Sequence, residues 1–295
     1  MNRVNQPDTG GRMRQRGVWK FSSLALLVLA GLVLVPMATL LLYAMSERWD
    51  RHWWPESPTL EWLSDAVRNP RVQAAAARTA GLALCSAVLA LVCGALATLP
   101  AVLSTQLERE HRRGGLVRLL DAAALLPFAI APVVMAISAL ELFVGRWGQW
   151  SPLPLPLPLV YVAVVAPTLF PLVHKTLQSA LHQLQAASLI EAGRTLGASD
   201  GQVLRQVLLP LLAPSLLAAL MLAWVSAAME FAIANLLLGG EQELLQPLMN
   251  SLRNVNGHQA AALMVLTLVG MAALMALAGL MNAWRQAAGA SAHSK

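Results

Sequence analysis

Charge is scarce in this chain. Asp, Glu, Lys and Arg make up 12% of its 295 residues, against about 25% in a soluble domain. With 57% hydrophobic residues and a mean hydropathy of +0.58, that deficit excludes a single water-excluding core. It points to a polytopic membrane protein whose apolar side chains face lipid or other helices. Other absences narrow the chemistry. No Gly-Lys pair occurs anywhere, so no P-loop is present to hold a nucleotide. The two cysteines, Cys85 and Cys93, lie eight residues apart in one apolar run. On a single helix they sit about 12 Å apart, too far for a disulfide. They imply neither redox chemistry nor metal binding. The six histidines, His52, His111, His174, His182, His258 and His293, have no metal-ligand spacing. No catalytic residue, cofactor or metal is expected. The net charge of +6 lies in terminal and loop positions beside the apolar runs and does not indicate nucleic acid.

What the chain does have is apolar runs. Six of them, at about 21–45, 79–104, 119–144, 159–177, 211–238 and 259–284, are each near the roughly 20 residues needed to cross the hydrocarbon. The fold class expected is all-α with six transmembrane helices. Residues 1–20 read as an irregular basic tail and 285–295 as a short second one. The first run is too long for a signal-peptide core and reads as an uncleaved span. Ser46 to Arg78 is polar and holds Trp49, Trp53, Trp54 and Trp62, which suit a membrane–water interface. The alternating Pro152, Pro154, Pro156 and Pro158 predict a short polyproline II strut.

Six spans put both termini on one side. Fourteen of the Lys and Arg residues lie in the tails and the segments 105–118 and 175–210, and seven in the opposite set. The positive-inside rule therefore makes the termini and these two loops cytoplasmic.

The longest polar interval in the second half is Glu191 to Pro210, EAGRTLGASDGQVLRQVLLP. About His182 to Leu196 reads as one helix. Gly197 stands where a helix C-cap needs a left-handed residue. Ser199 with Gln202 forms a capping box for a second short helix, and Pro210 is expected to end it.

This interval resembles the EAA loop of binding-protein-dependent ABC importer permeases, whose motif runs EAA, three residues, Gly, nine residues, Ile, one residue, Leu-Pro. Glu191, Ala192, Gly193, Gly197, Val207, Leu209 and Pro210 occupy the motif positions, with Gly193 for the second alanine and Val207 for isoleucine. Leu196 to Ser199 matches the usual LGAS, and Pro127 with Pro132 matches a common proline pair. Ala228-Met229-Glu230-Phe231 is similar to the SxGEFG stretch of the iron, sulfate, molybdate and polyamine branch, with Met229 in place of glycine. Ser46 to Trp49 and Thr59 to Glu61 are similar to the first outer loop of 2-aminoethylphosphonate permeases.

The resemblance implies a non-catalytic permease subunit of the bacterial inner membrane. Its implied partners are two ATP-binding cassette ATPases, a second permease chain, a periplasmic solute-binding protein and membrane lipid. The implied solute is a small molecule such as 2-aminoethylphosphonate, with polyamine, ferric iron or sulfate as alternatives. The seven motif residues would form a coupling helix that docks on the ATPase.

Glu230 is an acid well inside a span, where charge is costly and usually faces an aqueous path or a protein partner. A pathway or gating role and a helix–helix hydrogen bond to Asn235 or Trp224 both stay open. Asp121 and Glu141 lie near span ends and read as interfacial. A secondary transporter is the rival class, but it needs internal repeats and paired intramembrane charges. An intramembrane protease would need a nucleophile and base within the spans.

Overall fold

In a computed structural model the described residues are 9–49, 52–107, 122, 126–127, 129–146 and 155–293. Among them five helices are long and apolar enough to cross a membrane, at Leu26–Ala44, Pro70–Leu99, Leu157–Gln183, Asp200–Ala228 and Gly257–Leu280. A shorter apolar helix covers Pro132–Gly145. The helical membrane architecture expected from composition is the one observed, but the element boundaries differ in instructive ways.

Helix α1, Thr9–Ala44, begins well before the first apolar run, so residues 9–20 continue the helix rather than forming an irregular tail. Two three-residue strands follow, β1 (Ser46–Arg48) and β2 (Glu56–Pro58), paired antiparallel. Next come α2, Glu61–Arg68, and α3, Pro70–Leu107. The polar, tryptophan-rich segment thus carries a small hairpin and a helix of its own. Its Trp53 and Trp54 are exposed. Trp62 instead packs beneath the end of α1, and its indole N–H donates to the Ser46 carbonyl at 3.2 Å.

The expected third span is interrupted at Ile130–Ala131. Pro132 then starts α4, Pro132–Ala139, at the position where proline's missing N–H costs nothing. A π-helical stretch, Leu140–Arg146, continues it and carries an exposed Glu141. Asp121 and most of the segment 105–118 lie outside the described residues, as do Pro152 and Pro154. Pro156 has the extended backbone expected, φ −63° and ψ 134°, but Pro158 already belongs to α5, Leu157–Gln183.

Helix α5 is the centre of the bundle: 56% of its span is buried, more than any other. A stripe of small residues on α3, Ala83, Ala87 and Ala90, is buried with Val165, Leu169 and Val173 of α5. Small residues let membrane helices approach closely, where dispersion and not the hydrophobic effect holds them. A β-carbon at Gly94 would overlap the Val173 side chain. One turn on, the Thr98 hydroxyl donates to the Gly94 carbonyl at 2.6 Å and is hydrogen-bonded with His174 Nδ1 at 2.8 Å. Both residues are buried.

The chain then runs through α6 (Ala186–Thr195), α7 (Asp200–Val203), a π turn at Leu204–Leu208, α8 (Leu209–Ala228) and α9 (Ala232–Leu237). The expected fifth span is therefore broken at Met229–Phe231. The amphipathic α10 (Leu245–Val255) and the long α11 (Gly257–His293) complete it. At one end of the bundle Arg71 of α3 makes a two-pronged contact with Glu243, at 2.7 and 3.1 Å. The Leu245 N–H, at the start of α10, donates to Thr79 of α3 at 2.8 Å.

Candidate functional site

The interval singled out by its motif is a folded unit at the opposite end of the bundle. The single helix expected over His182–Leu196 is instead two, parted at Leu184–Gln185, where Gln185 takes a left-handed backbone with φ 48°. That conformation costs an L-residue about 1–2 kcal/mol. Burial of Ala186 and Ile190 under α6 offsets it, since both join Leu181, Val203, Leu208 and Leu212 in one apolar cluster.

Helix α6 ends as its sequence indicates. Gly197 has φ +81°. The Ala198 N–H donates to the Gly193 carbonyl at 3.0 Å, and the Gly197 N–H to the Arg194 carbonyl at 2.9 Å. These two bonds are a Schellman motif, which satisfies carbonyls that the helix end would leave unpaired. The capping box is also present: Ser199 N–H donates to Gln202 Oε1 at 2.8 Å, and Gln202 N–H to Ser199 Oγ at 3.4 Å.

Two features of this turn were not foreseen. Arg194 and Asp200 close over it in a bidentate ion pair at 2.8 and 3.1 Å. This hydrogen-bonded carboxylate raises the Arg194 guanidinium pKa further above its ordinary value. Opposite charges six residues apart astride the glycine were the available signal. The second feature concerns Gly193, the departure from the motif. A β-carbon there would overlap the Val203 side chain, so the missing methyl is matched by a larger neighbour.

Pro210 does not end a helix. The Leu209 N–H bonds back to the Leu204 carbonyl, five residues earlier, and the helix runs on into α8. Such a π turn shifts the hydrogen-bond register by one residue. It lies just ahead of the proline, whose ring would otherwise crowd the preceding turn.

The motif residues divide by face. Ile190 and Val203 anchor the unit, while Glu191, Ala192 and Gly197 are exposed. Leu196 beside them is 87% exposed. Val207 and Pro210 are exposed too, and Leu209 is half-buried. The outward surface thus combines one carboxylate, a small residue and a bare leucine around a rigid turn.

Glu230 lies elsewhere, in the break between α8 and α9. Its Oε1 accepts the Ile233 N–H at 3.0 Å, so it caps α9. The bond is local rather than between helices. Trp224, one partner considered for it, donates its indole N–H to the Ala80 carbonyl of α3 at 3.0 Å. Glu230 is half-exposed.

Comparison with known proteins gives consistent relatives. Residues 97–287 match the family model described as binding-protein-dependent transport system inner membrane component. The chain is 30% identical over 213 residues to the sulfate transport system permease protein CysT of Salmonella typhimurium, covering 70% of each. It is 30% identical over 258 residues to the molybdenum transport system permease protein ModB of Mycobacterium tuberculosis, covering 84% of this chain and 89% of that one. A solved bacterial ABC transporter that imports the acidic polysaccharide alginate superposes with a TM-score of 0.68 at 16% identity. That match covers 92% of this chain and 97% of the other.

Proposed function

This chain belongs to the binding-protein-dependent transport system inner membrane component family, the permeases of ABC importers, and we propose that it works through the unit α6–Gly197–α7. The seven residues Glu191, Ala192, Gly193, Gly197, Val207, Leu209 and Pro210 belong to a coupling element. Its exposed face docks in a groove of a cytoplasmic ATP-binding cassette ATPase. A single observation carries this reading: the motif folds as a rigid, capped turn that presents Glu191 and Leu196 outward from an apolar base. A carboxylate and a leucine on a stiff support suit a groove with an arginine and an apolar floor. A flexible connector would need neither the Schellman turn nor the Arg194–Asp200 clamp.

Transport then needs two ATPases, a second permease chain and a periplasmic binding protein. One solved relative, the alginate transporter, is described in complex with an alginate-bound periplasmic protein. In this reading the α6 end, the termini, and residues 1–20 and 285–295 are cytoplasmic. The strands, α2 and α10 face the periplasm, and the membrane is the bacterial inner membrane. The solute is small. Relatives named for sulfate and molybdenum favour a compact oxyanion, and the outer-loop similarity narrows this to 2-aminoethylphosphonate. The half-exposed Glu230, at a helix break within the membrane, is the candidate pathway residue.

The test is reconstitution of the permease with its ATPase and binding protein in proteoliposomes. Uptake of labelled 2-aminoethylphosphonate, sulfate, molybdate and spermidine is measured with and without ATP. ATP-dependent uptake of one of them supports the importer reading. Uptake driven by an ion gradient without ATP overturns it.

A further inference from the structure

A cavity of about 480 Å³ opens between α3, α8 and α11. Its walls are Val72, Ala76 and Ala80 of α3 against Leu266, Gly270 and Leu274 of α11. These two helices scarcely touch each other. Contacts around Ala66, Leu248 and Met249 of α2 and α10 join them at one end only. Leu274 lies about 25 Å along α11 from its first residue, at 1.5 Å per residue. The cavity therefore runs from the α2–α10 surface deep into the hydrocarbon.

The chemistry of the lining is uniform. No lining residue is charged. Every polar group that reaches it donates to or accepts from protein: Gln73 Nε2 to the Val67 carbonyl, Thr79 from the Leu245 N–H, Thr267 to the Leu263 carbonyl and Trp224 to the Ala80 carbonyl. With no charged side chain in the lining, an oxyanion would find no cationic partner there, which separates this space from a path for one. Water is equally disfavoured, since a cavity needs unsatisfied polar groups to hold it. The size falls within the range of about 300–1,000 Å³ that holds ligands in proteins. Gly270 and Ala80 are exposed on its rim, so it opens on the flank of two helices long and apolar enough to span the membrane. A β-carbon at Gly270 would meet nothing within 4 Å, so the missing side chain leaves the mouth open.

We propose that this wedge is a binding site for one acyl chain of a bilayer phospholipid, taken from the leaflet on the α2–α10 side. The proposal needs only the membrane placement of these helices and not the coupling role of α6. The chain replaces the contacts that α3 and α11 do not make with each other.

The test uses the full transporter in nanodiscs containing a phosphatidylethanolamine with a diazirine on its acyl chain. Illumination and peptide mass spectrometry locate the adducts. Labelling is expected at Leu266, Met271 and Leu274. Gly270→Leu, which fills the mouth, should lower it at least five-fold while labelling of lipid-facing Leu32 and Val33 on α1 stays constant. Ala80→Leu, from the opposite wall, provides the same reading should the first variant assemble poorly. Equal labelling of filled and unfilled proteins would overturn the site. So would quantitative crosslinking of Gly270→Cys to a second permease chain, since a protein helix would then fill the wedge.

Discussion

Gly193 carries no side chain because Val203 takes the space a β-carbon needs. The two form one packing unit, which gives a direct prediction. Gly193→Ala restores the family's usual residue yet should destabilise the turn, since overpacking costs about 1–3 kcal/mol. Adding Val203→Ala should recover most of that loss, as measured by thermal unfolding of the purified permease in detergent. Thr98 and His174 form another such unit. The Thr98 hydroxyl lies 2.6 Å from the Gly94 carbonyl and 2.8 Å from His174 Nδ1. Thr98→Val removes the hydroxyl from both contacts and should cost about 1–3 kcal/mol for the loss of buried hydrogen bonding. Thr98→Ser should retain it. The glycine cap and the Ser199–Gln202 box were legible in the sequence because both act within six residues. The Gly193–Val203 fit was not, since only the folded turn brings the two side chains together.

At the scale of elements, the turn at Gly197 and the break at Glu230 are the two places where backbone direction is set. At φ +81° a β-branched residue is badly strained. Gly197→Val should therefore leave the bundle inserted but tilt α7 away from α6. Glu191→Ala leaves the fold alone and removes the charge proposed to meet the ATPase, a loss of about 2–5 kcal/mol for a desolvated pair. Both should lower co-purification of the ATPase and solute uptake. Wild-type values for both variants would reduce the unit to a connector. Glu230 separates two roles by a different pair. Glu230→Gln keeps an oxygen for the Ile233 N–H, whereas Glu230→Ala leaves α9 uncapped, at about 0.5–2 kcal/mol. Uptake lost in the Gln variant with unchanged unfolding temperature assigns the charge to the pathway. Loss confined to the Ala variant assigns it to the cap. Hydropathy alone could not show this break, because Met229 and Phe231 flank the acid and keep the run apolar. The break at Gln185 was hidden for a related reason: no glycine or proline marks it, and tertiary burial of Ile190 holds it.

For the whole molecule, the arrangement of polar clusters is lopsided. The Arg71–Glu243 pair, the hairpin and α2 gather at one end, and the α6 unit at the other. This fits the segregation of basic residues along the sequence and predicts topology. A cytoplasmic reporter fused after Arg113 or Lys295 should be active, and one near Trp54 should be active only outside. Cytoplasmic activity at Trp54 would contradict the assignment. Of the six runs expected, five are long apolar helices and one a shorter helix among the described residues. That the chain is a helical membrane protein with several apolar spans was readable from composition, because spans need only length and hydropathy. Which run lies at the centre was not. Helix α5 takes that place through its contacts with the small residues of α3, which only the folded bundle brings together.

Helix α1 stands apart in another respect. Its apolar stretch Leu26–Ala44 is unburied, and among the described residues it packs on the rest of the chain around Leu40, Tyr43 and Ala44. There Tyr43 stacks on His258 at 4.0 Å, and its carbonyl accepts from His258 Nδ1 at 2.8 Å. These partners are 215 residues apart in the chain. At a synthesis rate of about 5–20 residues per second, the first helix to leave the ribosome waits roughly 10–40 seconds for the residue that fastens it. During that interval only Trp49 and Trp62, close by in the chain, cover its end, and lipid must hold the rest of Leu26–Ala44. Its apolar circumference is thus a requirement of birth order as much as of the finished structure.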